Sequence, residues 1–324
     1  MTKAIGGYFE LELSNFNNFN TYWKDTILLN SARNCLEYIL LVKQYKKLYI
    51  PFFTCDVLLE PLIKLNIPYE FYDVDFNLDP LFNFSILKKT DAFLYTNYFG
   101  LKDNTIKNIA TEIPDNLIID NAQALFSEPI ENIPTFYSPR KFVGVPDGGF
   151  VTNTDKLNIS FDKDSSYQRM THLLKRIDVS AESGYKDFQK NDKSLENQPI
   201  KFMSDLTERL LLNIDFVFVK EQRKKNFHFL HDKLKDKNLL PIMIGKDSVP
   251  MIYPLRTKDQ YLKEKLINQK IYCASYWPNV LDWADSDKNS YQLSKEIIAL
   301  PIDQRYDEND MEIIVRIIKQ DNNV

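Results

Sequence analysis

Four short apolar runs constrain what this 324-residue chain can become. Residues 48–51 (LYIP), 69–72 (YEFY), 93–95 (FLY) and 117–120 (LIID) each read as a strand, with stretches of helical character between them. Strands that alternate with helices build βαβ units and a largely parallel sheet. Two further runs, 135–137 and 150–152, stand too close together for a crossover helix, so an antiparallel pair is expected there. The expected fold class is α/β, with a mostly parallel mixed sheet flanked by helices.

In such sheets ligands sit beyond the carboxyl ends of the strands. The run at 117–119 stops at Asp120, with Gln123 three residues on; the run at 135–137 stops at Ser138, followed by Lys141 and then Asp147-Gly148-Gly149. An acid and a lysine at neighbouring strand exits can share one pocket. A lysine becomes nucleophilic toward carbonyls when it is desolvated or set near other cations. Its best-known partner is pyridoxal phosphate, whose ring nitrogen needs an opposing carboxylate to stay protonated. On spacing alone, the same residues read first as a structural acid and a surface lysine.

The rest of the chain supports a second, smaller unit. Asn30-Ser31 are placed to cap a helix running to about residue 46, with Leu36, Ile39 and Leu40 as its apolar stripe. The N-terminus of that helix is a potential anion site, and Arg33 in its first turn opposes the helix dipole unless an anion is bound there. A helix over 56–65 must tolerate Pro61, and 161–198 reads as a polar, partly helical excursion. Ser204-Asp205 begin a helical pattern that, if continuous to residue 237, spans about 50 Å and ties two domains together. Strands at 251–255 and 271–275 and helices at 258–268, 291–297 and 307–318 complete a small α+β unit. The expected division is 1–215, a large cofactor-binding domain with an N-terminal segment, and 216–324, a small C-terminal domain. Arg223, Lys224 and Lys225 read as a solvated helix face. His228 and His231 read as packing or surface residues, and Asp73 and Asp75 as structural acids in a turn.

Composition excludes several classes. A net charge of −4 with a pI near 5.6 leaves no footprint for nucleic acid. Cys35, Cys55 and Cys273 cannot all pair, and none stands in a metal-ligand spacing with the three histidines. No run reaches the roughly 18 apolar residues of a membrane span, so a cytoplasmic protein with no membrane partner is expected.

In this order the pieces resemble the DegT/DnrJ/EryC1/StrS sugar aminotransferases, pyridoxal-phosphate enzymes of the aspartate-aminotransferase fold, from about residue 6 to the end. LIIDNAQA is similar to the group's DxAQ signature, and FYSPRKFVGVPDGGFV to its lysine motif followed by GEGG. LNSARNCLEYIL resembles the phosphate-binding NSGTxAL turn, and IPFFTCDVLLEPLIKLNIPYEFYDVD the PxFTxxAT…GxxPVFxDVD stretch. FMSDLTERLL, YWPNVL and ALPID are similar to later elements of the group.

The resemblance implies that Lys141 bonds the cofactor and moves the proton during transfer, that Asp120 holds the ring nitrogen, and that Gln123 contacts the 3-hydroxyl side. It implies phosphate contacts from Ser138 and from the turn at Ala32, Arg33 and Asn34. It also implies an amino-acid donor, glutamate, a keto-sugar acceptor, and a homodimer with a shared site. This chain departs from the group at several positions. Ala32-Arg33 stand for Gly-Thr, and Cys55 stands for the stacking aromatic, with Phe52 and Phe53 beside it as replacements. Asn97 stands for the histidine of HxYG and Phe136 for a serine before the lysine. Ile200 and Phe202 stand for a polar pair that reaches the neighbouring subunit. Two alternatives remain open: a pyridoxal-phosphate enzyme acting on something other than a nucleotide sugar, and a non-catalytic relative of the same fold.

Overall fold

The computed structural model describes residues 11–13 and 26–319; Gly6-Gly7 and most of the N-terminal segment lie outside the described residues. The chain runs β1 (Ile27–Leu29), α1 (Ala32–Lys43), β2 (Lys47–Pro51), α2 (Leu59–Lys64), β3 (Tyr69–Val74), β4 (Pro80–Leu81), β5 (Asp91–Thr96), α3 (Asp103–Glu112), β6 (Leu117–Asn121), β7 (Thr135–Tyr137) and β8 (Gly149–Thr152). It continues with α4 (Thr171–Asp178), α5 (Ala181–Ser194), α6 (Asp205–Leu212), α7 (Phe216–Leu234), β9 (Tyr253–Arg256), α8 (Leu262–Asn268), α9 (Val280–Trp283), α10 (Asn289–Glu296), β10 (Ile297–Leu300) and α11 (Glu308–Lys319).

Eight strands form one sheet in the order β1-β8-β7-β6-β5-β2-β3-β4. The strands from β7 through β3 are mutually parallel, while β8 runs antiparallel to both β1 and β7. The expected antiparallel pair is thus β7 with β8, Thr135 opposite Thr152 and Tyr137 opposite Phe150. Every residue of β5 and β6 is buried, because helices cover both faces of the sheet. Alternation of side chains divides them between two cores. Tyr49, Phe93, Tyr95, Leu117 and Ile119 pack on one face, and Leu48, Ile50, Leu94 and Ile118 on the other, against α1. A third core forms where β9 and β10, paired antiparallel, meet α7, α8 and α11 through Phe227, Leu230, Tyr253, Leu255, Leu300 and Ile314.

Three expectations change in detail. The long helix is broken: α6 ends at Leu212, and α7 starts afresh after its cap residue Asp215, whose carboxylate accepts from the Phe218 N–H at 3.0 Å. A capping acid there competes with continued helix. The helix expected over 56–65 begins only at Leu59, after a 3₁₀ turn, which places Pro61 in the first turn where its missing N–H has no acceptor to lose. Residues 271–275 make only an isolated bridge, Ala274 to Ala299, and no strand. The polar excursion contains two helices, α4 and α5, joined by the Lys175–Asp187 ion pair and by His172 against Phe188. Asp73 has the structural role expected of it, accepting from the N–H groups of Asn289 and Ser290 at 3.0 Å and so capping α10.

Candidate active site

The parallel sheet brings Asp120 and Lys141 together. Asp120 is the fourth residue of β6 and lies 5% exposed, its Oδ1 accepting from the Ala122 N–H at 2.8 Å and its Oδ2 from the Thr96 hydroxyl at 3.3 Å. Neither partner is a cation, and among the described residues no salt bridge reaches this carboxylate. Burial pushes its carboxyl above the ordinary range, and the charge of Lys141 pulls it partway back. Lys141 closes the 3₁₀ turn Pro139–Lys141 that follows β7; it is exposed, and its ammonium makes no hydrogen bond or salt bridge among the described residues. The same ammonium acts on Cys55, whose thiol burial pushes up to about 11. Gln123 is buried, its Oε1 held at 2.9 Å by the Phe99 N–H, which leaves the amide nitrogen as its free donor. Ser138 occupies the cap position of the lysine turn, and its hydroxyl caps nothing.

The glycine pair explains how this turn meets α1. A Cβ on Gly149 would lie 2.6 Å from Cys35 Sγ and 2.7 Å from the backbone C and O of Ser31. Gly148 has φ of +108°, and its N–H donates to Asn30 O at 2.9 Å. The start of β8 therefore lies flat against the first turn of α1, and that turn sits beside the exit of β7. Asp147, fully buried, is fixed by Thr207 and Arg169, which anchors the loop between Lys141 and the glycines.

Several expected site residues are engaged elsewhere. Asn34 is part of a local network: its Oδ1 accepts from Ser31 Oγ at 2.6 Å, and its Nδ2 donates to Glu37 and to Gln198 O. The Arg33 guanidinium is buried and paired with Glu60 at 3.2 Å, so the cation at the helix start is answered by an acid of α2. Ala32 and Arg33 thus offer backbone only. Asn97 is saturated, with its Nδ2 on Asp103, Asn121 and Ser127 and its Oδ1 on the Lys102 N–H, an arrangement that ties β5 to α3. Phe53 has 0% exposure, packed against Tyr98 and Trp277, and offers no face to a bound ring. Phe52 stacks on Phe71.

Arg223 also departs from expectation. Instead of lying on a solvated face it is 2% exposed, and its guanidinium donates to Phe142 O at 3.0 Å, Met251 O at 2.8 Å and Gln304 Oε1 at 3.1 Å. Tyr276 is a neighbour, acting electrostatically on Arg223 and on Cys55. Arg223 carries no sequence signal of its own and is recognised by what surrounds it, whereas Tyr276 opens the YWPNVL segment noted in the sequence. His231 has the packing role expected of it, stacked on Phe227 at 5.9 Å. No group of three or more metal-ligating side chains occurs among the described residues. Nor is any described helix long and apolar enough to cross a membrane.

No protein-family model matches the chain, and no curated protein matches it in sequence. Solved structures do match. The sugar aminotransferase Spr1654 from Streptococcus pneumoniae in its apo-form is 15% identical, covering 93% of this chain and 87% of that one with a TM-score of 0.67. The sugar aminotransferase CalS13 from Micromonospora echinospora is 12% identical over 91% of this chain and 87% of that one, with a TM-score of 0.63. A GDP-4-keto-6-deoxymannose-3-dehydratase, ColD, is 16% identical over 93% and 90%, also with a TM-score of 0.63. The class of molecule is thereby defined at the level of fold. The chain has the α/β fold of the pyridoxal-phosphate-dependent aminotransferases, over nearly its whole length.

Proposed function

We propose that the chain is a pyridoxal-phosphate-dependent aminotransferase of the DegT/DnrJ/EryC1/StrS type. It would move an amino group from an amino-acid donor, glutamate, to a keto-sugar in amino-sugar or surface-polysaccharide biosynthesis. The observation that carries this reading is a buried carboxylate, Asp120, and an exposed Lys141 at the next strand exit, neither of which makes a salt bridge among the described residues. These residues fit the cofactor. A carboxylate that burial pushes up would be relieved by a proton-bearing ring nitrogen, and Lys141 has no competing partner among the described residues. The fold match extends to a form of Spr1654 described as the PLP-form and another as the PMP-form.

When bound, the cofactor supplies an electron sink for the substrate's amino carbon. Asp120 would accept a hydrogen bond from the ring nitrogen and keep it protonated. Lys141 would hold the cofactor and would move the proton between the reacting carbons, a task suited to an amine on a short turn with no salt bridge among the described residues. Ser138 and the first amides of α1 would donate to the phosphate, and Gln123, held by the Phe99 N–H, would offer its amide nitrogen to the cofactor's hydroxyl. Asn97, Phe53 and the side chains of Arg33 and Asn34 act behind this layer as supports. α4, α5 and the turn between them expose Leu174, Ile177, Val179, Tyr185 and Phe188, between 43% and 81%. That apolar surface supports a homodimer in which a second copy covers it. A cytoplasmic location accords with the substrates.

The test is an absorbance spectrum of the purified protein with added pyridoxal phosphate, before and after glutamate. A visible band that glutamate bleaches supports the aminotransferase. A band that glutamate leaves unchanged supports a cofactor enzyme with another donor or reaction, and no band at all supports the non-catalytic alternative.

A further inference from the structure

Arg223 is a buried cation with no carboxylate oxygen within salt-bridge distance among the described residues, an arrangement that costs free energy and calls for a reason. Burial pushes its guanidinium down to about 10. Its hydrogen bonds run to three segments far apart in the chain. One ends on the carbonyl of Phe142, the residue after Lys141, at 3.0 Å. The ring of Phe142 lies 4.7 Å beneath the guanidinium and edge-on to Phe126. The same carbonyl accepts a second bond from Gln304 Nε2 at 2.9 Å.

The bond to Met251 extends the link. The Met251 N–H donates to Phe99 O at 2.8 Å, and the Phe99 N–H donates to Gln123 Oε1 at 2.9 Å. Phe99 holds φ of +58°, which a bulky residue adopts only when its surroundings impose it. A continuous path of hydrogen bonds therefore runs from Gln123, three residues beyond Asp120, through Phe99, Met251 and Arg223 to the lysine turn. It closes outside the sheet the connection that β6 and β7 make within it.

We propose that Arg223 is a positioning residue: by holding the Phe142 and Met251 carbonyls at once, it fixes the Lys141 turn relative to Asp120 and Gln123. The planar guanidinium serves this purpose because its donors are set at fixed angles, which an ammonium cannot reproduce. The proposal rests on Lys141 being the reactive amine of the proposed function, and it makes Arg223 a residue that never touches cofactor or substrate.

The experiment compares Arg223→Met, Arg223→Lys and Gln304→Leu with the wild-type chain, checking each for native circular dichroism. The first readout uses protein without cofactor: the rate at which Lys141 is acetylated by limiting acetic anhydride, read by peptide mass spectrometry against Lys175 as internal reference. The second is the affinity for pyridoxal phosphate. Arg223→Met is expected to change the Lys141/Lys175 rate ratio and weaken cofactor affinity by about tenfold or more, the scale at which a misplaced group loses function. Arg223→Lys is expected to fall between Arg223→Met and wild type. A folded Arg223→Met with wild-type values on both readouts overturns the proposal. Should that variant not fold, Gln304→Leu decides, since it removes one donor to the same carbonyl from a half-buried position. A shift in the same direction supports the proposal, and wild-type values overturn it. If the wild-type chain takes up no cofactor, the functional reading fails while the acetylation ratio still tests Arg223.

Discussion

Gly149→Ala offers a demanding test of how the site is assembled. The added methyl would lie 2.6 Å from Cys35 Sγ and 2.7 Å from the Ser31 carbonyl carbon and oxygen. Two of these three neighbours are backbone atoms in the first turn of α1, which cannot rotate away as a side chain can. Relief requires α1 and β8 to separate by about half an ångström or more, and overpacking of this kind costs about 3 kcal/mol. For a chain of this size that is a fall in Tm of about 5 °C, measurable by differential scanning calorimetry. A double variant with Cys35→Ala removes the sulfur contact and is expected to recover less than half of the loss, since the Ser31 backbone remains. Gly144→Ala is the control. Its Cβ would meet only Leu173 Cδ2 at 3.9 Å, so it is expected to lie within about 0.5 kcal/mol of wild type. Gly149→Ala as stable as the control would refute the reasoning that the glycine pair exists to let α1 approach the strand.

Two further outcomes follow from the electrostatics. Asp120→Asn is expected to raise the stability of the cofactor-free protein at neutral pH while abolishing turnover. A carboxyl pushed up by burial binds its proton more tightly in the folded state, so stability falls as pH rises from the unfolded carboxylate's value, about 4, through the higher folded value. Asparagine removes that dependence, and thermal melts across this window would show a flatter profile in the variant. Arg33→Ala is expected to destabilise by about 3 kcal/mol, because it strands Glu60 in a partly buried site; Glu60→Gln combined with it should return part of the loss in a denaturant titration.

Much of the fold was legible because parallel strands covered on both faces leave continuous apolar runs, and the 93–95 and 117–120 runs are of that kind. Asp120 was legible for the same reason, since it lies where such a run stops, and Lys141 because it follows the stop of the next run by three residues. The break between α6 and α7 was also written in the chain, in Asp215 followed three residues on by the amide it caps, but the apolar period runs across it and masks the signal. Arg223 was not legible. Beside Lys224 and Lys225 it reads as surface charge, and only the approach of Phe142, Met251 and Gln304, none nearer than 28 positions in sequence, makes it interior. Likewise, whether Asn97 and Asn34 serve a ligand or the fold depends on partners brought by other segments, and nothing local to either residue distinguishes the two.

The central claim is that Lys141 is the amine that bonds pyridoxal phosphate. Mixing the protein with the cofactor, reducing with borohydride, digesting and mapping the pyridoxyl-phosphate group by mass spectrometry measures this directly. The account predicts stoichiometric modification of the peptide carrying Lys141 and its loss in Lys141→Ala. Modification spread over surface lysines, or absent from that peptide, would contradict it.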